Sequence, residues 1–506
     1  MVALSESLIR ETYKKLKEKA ARYLDKGNIQ KGLLYTHLAA NTNYAFWLSY
    51  FDEEIENLIK KAGETICKRE YGCAEIIRGR CVMLDSLALY RGGLTVQYVK
   101  AILSAGWKLL YITGQEMQSP RHIELYNFLV QEGVQIQEVP KKLKGCKRLQ
   151  FIYDSILNFS AERVYLHCIT SEVFFTAVCY SLPLSIQKFF IDMADHSFRT
   201  GINSCDYSFE FRDLGCSIAA QYMHYPREKM LMLPFYPVID NVDFKGIPTE
   251  CEGKVIILSG GIFWKIVDNE DTYFRLCQKL LLQNPNAIIL YPGDGDPSYV
   301  TSKLKEYGIE DRFLLLGWRN DINELFRQSD IFLNTYPHGG ATMSQYAAHS
   351  RKPILSYRPI GYCVNPVENF VCHLNQTDVS SVGEDAFLEE AHRLINDSNY
   401  RKAKAERVYP CVMGSEMFNK YFKEMSKGHH NILPFVVDKS VEILHERLEK
   451  KIKYHNETGD YQTRLVSIAG LNMITLHTYF IIPFVKNIIP KLWRVITTRG
   501  FHFNRI

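Results

Sequence analysis

Short apolar runs alternate with helical patterns from residue 80 onwards, and this alternation is the strongest constraint on the fold. The first series of predicted strands lies at residues 81–84, 109–112, 134–139, 163–167 and 188–191. Helical patterns lie between them, at about residues 94–105, 121–132, 147–160 and 171–181. Alternation at this spacing predicts right-handed βαβ units and a parallel sheet. In such sheets the loops that follow the strands carry the functional site.

A second series of the same kind begins at Lys254, with apolar runs at residues 255–258, 287–291, 313–316, 331–333 and 354–355. The two series are separated by a crossing stretch, residues 202–250, whose proline-containing and charged part at 240–253 marks a domain boundary. The predicted fold class is therefore α/β, with two Rossmann-like parallel-sheet domains that face a cleft. We assign residues 67–245 to the first domain and residues 246–411 to the second.

The loop between the run at 331–333 and the following helix contains Gly339 and Gly340. Paired glycines let a backbone approach a ligand closely, and the first helical turn presents free N–H groups. Thr342 adds a hydroxyl donor in that turn. This arrangement suits a phosphate or diphosphate. The alternative is a plain strand–loop–helix connection with a glycine bend.

The order of these motifs resembles the C-terminal half of GT-B glycosyltransferases. In detail it is similar to the O-GlcNAc transferase group and the bacterial cytoplasmic adhesin glycosyltransferases. In this resemblance, which covers about residues 254–357, the Gly260–Gly261 turn leads to Lys265, which matches the lysine that contacts the donor diphosphate. The segment from His338 to Thr342 lies where the family has an Asn-Gly-His-Thr-Thr loop.

The same resemblance implies further donor contacts and some departures from the family. Trp318 lies where GT-B folds border the nucleotide base, although it is equally interpreted as a packing residue. Of the threonine pair in the family loop only Thr342 is present. Gln345 aligns with the acidic residue that contacts the ribose, and an amide can bond a hydroxyl but carries no charge.

The loop after residues 188–191 contains the candidate catalytic base, His196. Histidine titrates near neutrality and can accept a proton from an acceptor hydroxyl. We predict that Asp195 or Asp192 orients it, and His167 is the second candidate. The alternative is a histidine and a carboxylate that only satisfy each other. The resemblance also places a loop with Gly92 and Gly93 at the acceptor side of the cleft, although two glycines equally suit a close helix–strand contact.

We predict no metal and no cofactor other than the nucleotide-sugar co-substrate. The Asp-Gly-rich stretch at 292–296 lacks the spacing of a calcium loop and is interpreted as a turn. The retaining GT-B families have a Glu-x7-Glu motif that spans the helix after the donor loop, and we find no such pair in that helix. Its absence favours an inverting mechanism.

Charge and cysteine usage restrict the partners and the compartment. A net charge of +5, from 61 basic and 56 acidic residues, gives no indication of a nucleic-acid partner. The thirteen cysteines form no CxxC pair, which fits a reducing cytoplasm. The N-terminus lacks the apolar core of a signal peptide. We therefore expect a cytoplasmic enzyme.

The two ends of the chain are predicted to be helical. Residues 1–66 form a helical cap, with a hairpin followed by a helix at about 45–62, and an acceptor- or partner-docking module is the alternative. Residues 412–506 form a helical tail that contains the uncharged stretch 465–485, followed by basic and aromatic residues. A membrane span, a buried helix and a peripheral membrane helix all stay open, and we favour peripheral attachment, at the inner face of the membrane.

The predicted function is transfer of a sugar, from a UDP-sugar, to a saccharide, lipid-linked or protein acceptor. Three alternatives stay open: a retaining GT-B hexosyltransferase, a non-catalytic GT-B subunit that stabilises a partner transferase, and a sugar-nucleotide epimerase. The anomeric configuration of the product separates the first from the prediction, and conversion of the donor without an acceptor would indicate the third.

Overall fold

A computed structural model describes residues 5–66, 75–91, 94–169, 171–239, 242–361, 366–428, 433–437 and 447–453. The described chain begins with three helices, α1 (Glu6–Asp25), α2 (Ile29–Phe46) and α3 (Glu53–Gly63). Each helix starts at a side-chain cap, supplied by Ser5, Asn28 and Asp52. Their apolar faces continue into the core on one side of the first sheet. The three helices therefore form a cap on the first domain.

The second and third cap helices differ in their bounds from the prediction. A helix was expected from about residue 45, but α2 continues to Phe46 and the chain reverses at Trp47, in the left-handed region at φ 51°. The Asn43 side chain holds this turn by accepting the Ser49 N–H at 3.0 Å. Asp52 then accepts the Ile55 N–H at 3.1 Å and starts α3. Local side-chain capping, which apolar periodicity does not report, decides these boundaries.

The first domain is built on a sheet of seven parallel strands within the described residues. Its strands are β1 (Arg80–Asp85), β2 (Lys108–Thr113), β3 (Gln135–Glu138), β4 (Arg163–His167), β5 (Gln187–Ile191), β6 (Tyr207–Glu210) and β7 (Met230–Met232). The connecting helices are α4 (Thr95–Ser104), α5 (Ile123–Gln131), α6 (Gly145–Asn158), α7 (Phe174–Ser181) and α8 (Asp213–Tyr222). The strand order is β3-β2-β1-β4-β5-β6-β7, which reverses direction at β1 and β4. Ligands bind at such a switch point in open parallel sheets.

The stretch 202–250, predicted to cross between the domains, contains β6, α8 and β7, which belong to the first domain. The strand β6 was missed since two of its four residues, Ser208 and Glu210, are polar and fully buried. Glu210 accepts bonds from Ser208 at 2.6 Å and from Arg199 at 3.1 Å. A buried polar strand looks like a loop until its partners are known.

The second domain repeats the architecture with β8 (Val255–Leu258), β9 (Gly261–Ile262), β10 (Ala287–Asp294), β11 (Phe313–Gly317), β12 (Ile331–Leu333), β13 (Ile354–Arg358) and β14 (Ser380–Val382). Its helices are α9 (Thr272–Gln283), α10 (Ser298–Glu306), α11 (Ile322–Gln328), α12 (Ala341–His349), α13 (Glu368–Val371), α14 (Glu384–Asn396) and α15 (Ser398–Val408). The strand order is β11-β10-β8-β12-β13-β14, and the two-residue β9 pairs with the end of β10. The predicted fold of two Rossmann-like parallel-sheet domains is confirmed.

The chain then returns to the first domain through α16 (Ser415–Gly428). Phe418 and Phe422 on this helix meet Tyr98 of α4, with ring centroids 5.3 and 6.0 Å apart. This helix therefore fills the face of the first sheet opposite the cap. Among the described helices, none combines the length and the hydropathy needed to cross a bilayer. The stretch 465–485 lies outside the described residues, so its proposed membrane contact stays a prediction.

Glu56 joins the cap to the first domain and generates a prediction about stability. Its carboxylate is buried, accepts the Gly201 N–H at 2.7 Å and accepts a short hydrogen bond from Tyr180. Burial raises the pKa of Glu56 to about 7, although the two donors oppose the shift. The folded protein therefore holds a proton on Glu56 over a pH range in which the unfolded chain does not. The free energy of unfolding that this proton contributes is lost as the pH rises through 7.

We expect the melting temperature of Glu56→Gln to rise relative to that of the native protein as the pH increases from 5 to 8. The amide keeps an acceptor for Gly201 and never ionises. Differential scanning fluorimetry at several pH values measures the difference, and Glu53→Gln, at an exposed position of the same helix, is the matched control. A pH-independent difference for Glu56→Gln would contradict the assignment.

Candidate active site

The two sheets place the loops at their strand ends opposite each other, and two histidines mark the meeting point. His196 follows β5 of the first domain, and His338 follows β12 of the second. The two imidazoles are close enough to interact electrostatically. The candidate site is the cleft around them.

The loop after β5 holds His196 through a buried ion pair. Asp195 is fully buried and receives two hydrogen bonds from the Arg212 guanidinium, at 2.5 and 2.6 Å. Burial alone would raise the pKa of Asp195, but Arg212 holds it well below its usual range, so the carboxylate is ionised. Its Oδ1 lies 3.4 Å from Nδ1 of His196, whose side chain is 39% exposed. Asp195 is therefore placed to orient the imidazole.

The neighbouring carboxylate and the second histidine of the prediction are engaged elsewhere. Asp192 accepts a 2.6 Å hydrogen bond from the buried Arg199, which also bonds Glu210. His167 is fully buried, with Nδ1 3.3 Å from Asp85, and is closed to an acceptor. Of the residues considered, only His196 with Asp195 combines an orienting carboxylate with exposure to the cleft.

Protonation of His196 is set by opposing neighbours. Burial lowers its pKa below the ordinary value, and the cations of Arg447 and Arg212 act in the same direction. Asp195 acts against them. The net shift is downward, so the imidazole is neutral near pH 7 and is able to accept a proton.

Lys265 lies on the opposite side of the cleft, in the short helical turn Phe263–Ile266 that follows β9. Its carbonyl accepts the His338 N–H at 3.2 Å, which ties this turn to the loop after β12. Burial lowers the pKa of the Lys265 amine. Across the described part of the chain no carboxylate forms an ion pair with it. A half-buried cation without a counter-charge is a candidate anion site.

The start of α12 lies next to this lysine and has no side-chain cap. Asn334 accepts the Gly340 N–H at 2.9 Å, and the Thr335 hydroxyl donates to the His338 carbonyl at 2.7 Å, so the loop is internally braced. The next N–H groups of the helix have no partner within the helix itself. Thr342 is exposed in this first turn. The helix start is therefore open to a negatively charged group.

Gly260, Gly261 and Gly339, which were predicted to contact the donor, allow neighbouring segments to pack where a side chain would not fit. A Cβ atom on Gly260 would lie 2.8 Å from the Pro292 carbonyl oxygen and 3.2 Å from Met343 of α12. Gly261 adopts a φ of 137°, which L-residues with a side chain rarely reach. A Cβ atom on Gly339 would meet the Asn334 amide at 3.2 Å. These glycines bring the Lys265 turn and the loop after β12 close together.

The structure gives Gln345 a different environment from the predicted ribose contact. Its side chain is fully buried and donates to the carbonyls of Phe235 at 2.8 Å and Phe370 at 3.1 Å. Phe235 lies on the segment that leaves the first domain, so Gln345 fastens the two domains together. In this arrangement it is not accessible to a ribose hydroxyl.

Trp318 and the acceptor-side loop are the remaining predicted positions. Trp318 is 64% exposed at the end of β11, and the Lys245 amine lies 5.8 Å from its ring centroid. Gly92 and Gly93 lie outside the described residues, so their role stays a prediction. The adjacent Arg91 donates to the Asn320 carbonyl at 2.6 Å and, with Thr342, lines a cavity of about 120 Å³ between the domains. The cleft therefore extends from the start of α12 to the loop before α4.

Four residues of the cleft were missed by sequence reasoning, namely Trp47, Trp264, Arg447 and Lys451. The ring of His338 lies 4.8 Å from Trp264 and 5.8 Å from Trp47 of the cap. Arg447 donates to the His196 carbonyl at 2.9 Å. Trp264 was adjacent to a motif and could have been noted, whereas Trp47 and the two cations come from the chain's ends and carry no local signal. In the described residues no group of three or more metal-binding side chains converges.

Comparison with solved structures identifies the fold. HepE of Anabaena, in complex with UDP and glucose, superposes with a TM-score of 0.50 at 11% identity, covering 69% of this chain and 99% of that one. A point mutant of the Thermobaculum terrenum O-GlcNAc transferase gives 0.51 at 12% identity and covers 88% of both chains. A glycosyltransferase from Rickettsia africae gives 0.51 at 12% identity, covering 70% of this chain and 99% of that one.

These similarities show that the chain has the GT-B fold. At sequence identities of 11–12%, such similarities identify the fold and not the activity or the substrate. No family model matches the sequence. No curated protein matches it either.

The close approach at Gly260 generates a prediction. We expect Gly260→Ala to destabilise the second domain by about 1–3 kcal/mol, the usual cost of overpacking, because the atom it meets is a backbone carbonyl that cannot rotate away. Gly340→Ala is the matched control, since its φ is −90° and its added Cβ would lie at an ordinary 3.4 Å from the nearest atom. Denaturant unfolding followed by tryptophan fluorescence measures both. Equal stability of the two variants would contradict the packing argument.

Proposed function

We propose that this protein is a glycosyltransferase that moves a sugar from a nucleotide-sugar donor, a UDP-sugar, to an acceptor hydroxyl. The observation that carries the proposal is the half-buried Lys265 cation beside the open start of α12, facing His196 across the cleft. HepE, a protein of the same fold that was solved in complex with UDP and glucose, supports the proposal.

In this proposal His196 acts as the general base. Its neutral imidazole accepts the proton of the acceptor hydroxyl, whose oxygen forms a bond to the anomeric carbon of the donor. The bond between that carbon and the diphosphate oxygen breaks, and the electron pair leaves with the diphosphate. Asp195 stabilises the resulting imidazolium. Attack from the side opposite the leaving group gives inversion.

The donor side stabilises the charge that develops on the leaving group. In this proposal the Lys265 ammonium and the first N–H groups of α12 bind the diphosphate together, and Thr342 adds a hydroxyl donor. Fixed donors in a partly dry site need no reorganisation during the reaction. These groups supply the electrostatic role for which other enzymes use a metal ion, which is why we propose transfer without a bound metal. A cytoplasmic site and a saccharide, lipid-linked or protein acceptor are part of the same proposal.

Removal of the lysine tests the donor site. We expect Lys265→Ala to lower kcat/KM for transfer or donor hydrolysis about 100-fold or more, the usual effect of losing one charge-stabilising donor. Binding of UDP, measured by calorimetry, should weaken in parallel. The exposed Lys254→Ala is the matched control, with the same change of charge outside the cleft. Native UDP affinity in Lys265→Ala would overturn the assignment.

Removal of the histidine tests the catalytic base. We expect His196→Ala to lower kcat by about 10²- to 10⁴-fold while UDP binding is retained, because a general base contributes to the chemical step. Since burial and nearby cations lower the pKa of His196 below 6.5, this residue should give the native pH profile an acid limb that lies below that value.

The exposed His224→Ala serves as the control for the histidine variant. A pH profile for kcat/KM whose acid limb persists unchanged in His196→Ala would assign the base to another residue.

A second candidate, a non-catalytic GT-B subunit, is favoured by the buried position of Gln345, which leaves its side chain closed to a ribose. A folded protein that binds none of a panel of UDP-, GDP- and dTDP-sugars would support this candidate over the transferase.

A further inference from the structure

A second group of cations enters the cleft from residues 447–453, which form a helical segment. Leu448 is 1% exposed and joins the core beneath the first sheet, and Ile452 packs against the same core. Arg447 and Lys451 are four residues apart, so they lie on one face of this helix. The apolar anchor therefore fixes which way the two cations face.

Both cations contact residues of the candidate site. Arg447 is 7% exposed and donates to the His196 carbonyl at 2.9 Å. Its guanidinium lies 5.6 Å from the ring of Trp47. The Lys451 amine lies 5.0 Å from the ring of Trp47 and 4.8 Å from that of Trp264. Cation–π contacts of this kind hold the charged groups at defined positions.

The result is a concentration of positive charge at one end of the cleft. Burial first, and then the cations of Arg447 and Lys451, hold the pKa of His338 well below its usual range, and Lys265 acts in the same direction. A group of cations at one end of a cleft attracts an anionic ligand.

The position of Arg447 indicates which ligand that is. Its bond to the His196 backbone places it on the side of the base, which faces the acceptor hydroxyl. Trp47, which lies against both cations, comes from the cap on the first domain. In the proposed function, Lys265 and the start of α12 already bind the leaving diphosphate.

We propose that Arg447 and Lys451 bind an anionic group, a phosphate or a carboxylate, carried by the acceptor saccharide. This inference rests on the proposed function, since it presumes a donor at Lys265. It makes the acceptor a negatively charged saccharide and gives the last described helix a part in selecting it.

The test uses the full chain and separates the two sites. UDP is first titrated calorimetrically into the native protein, the Arg447→Gln/Lys451→Gln double variant and Lys265→Ala. With UDP saturating, the native protein and the double variant are then titrated with glucose 6-phosphate, with glucuronate and with glucose. The exposed Lys453→Gln, on the same helix, is the control, and thermal unfolding verifies that each variant is folded.

We expect the native protein to bind one of the charged sugars about tenfold or more tighter than glucose, as one or two charge-assisted hydrogen bonds provide. The double variant should lose this preference and keep native UDP affinity, and Lys453→Gln should keep both. A preference for glucose 6-phosphate identifies a phosphate ligand, and one for glucuronate a carboxylate.

Other results would overturn the inference in distinguishable ways. Equal binding of charged and neutral sugars by the UDP-bound native protein would remove the acceptor subsite and leave the donor site intact. A loss of UDP affinity in the double variant comparable to that in Lys265→Ala would assign the two cations to the donor. Failure of the native protein to bind UDP would instead overturn the proposed function, and with it the basis of the inference.

Discussion

The arrangement of the cleft depends on one buried ion pair, between Asp195 and Arg212. Both groups are almost completely removed from water, and each would be costly to bury alone. The pair holds the loop after β5 so that His196 faces the cleft. The Arg212 guanidinium also lies 4.5 Å from the ring centroid of Phe370 in the second domain. The same interaction therefore positions the candidate base and stabilises the domain interface. Arg199, which bonds Asp192 and Glu210, forms a second buried ion-pair cluster nearby.

The two sides of the cleft obtain their chemistry in different ways. On the first domain, burial and two nearby cations lower the pKa of His196 against the effect of Asp195, which keeps the imidazole neutral near pH 7. On the second domain, close backbone approach at Gly260 brings a half-buried lysine against an uncapped helix start. The first arrangement suits proton transfer and the second suits an anion, and the GT-B architecture places them opposite each other. Gln345 secures this geometry by bonding main-chain carbonyls on both sides of the domain boundary.

Sequence patterns predicted most of the fold because strands buried on both faces are continuous apolar runs, which periodicity detects well. Patterns failed where the buried residues were polar, as in β6, or where a side-chain cap decided an end, as at Asp52. In the candidate site the local motifs around Lys265, Gly340 and His196 were visible. The sequence did not show whether Asp195 or Asp192 orients His196. That choice depends on which arginine bonds which carboxylate in the folded protein.

The sequence by itself determined the two parallel-sheet domains, the glycine-rich turns and the residue types at the strand ends. These follow from local apolar periodicity and from backbone conformations that few residues adopt. Only the tertiary structure decided that Gln345 is buried at the domain interface, that His167 is closed to the cleft, and that Trp47, Arg447 and Lys451 meet around His338. Contacts between segments so far apart along the chain are set by packing of the whole molecule, and no local pattern encodes them.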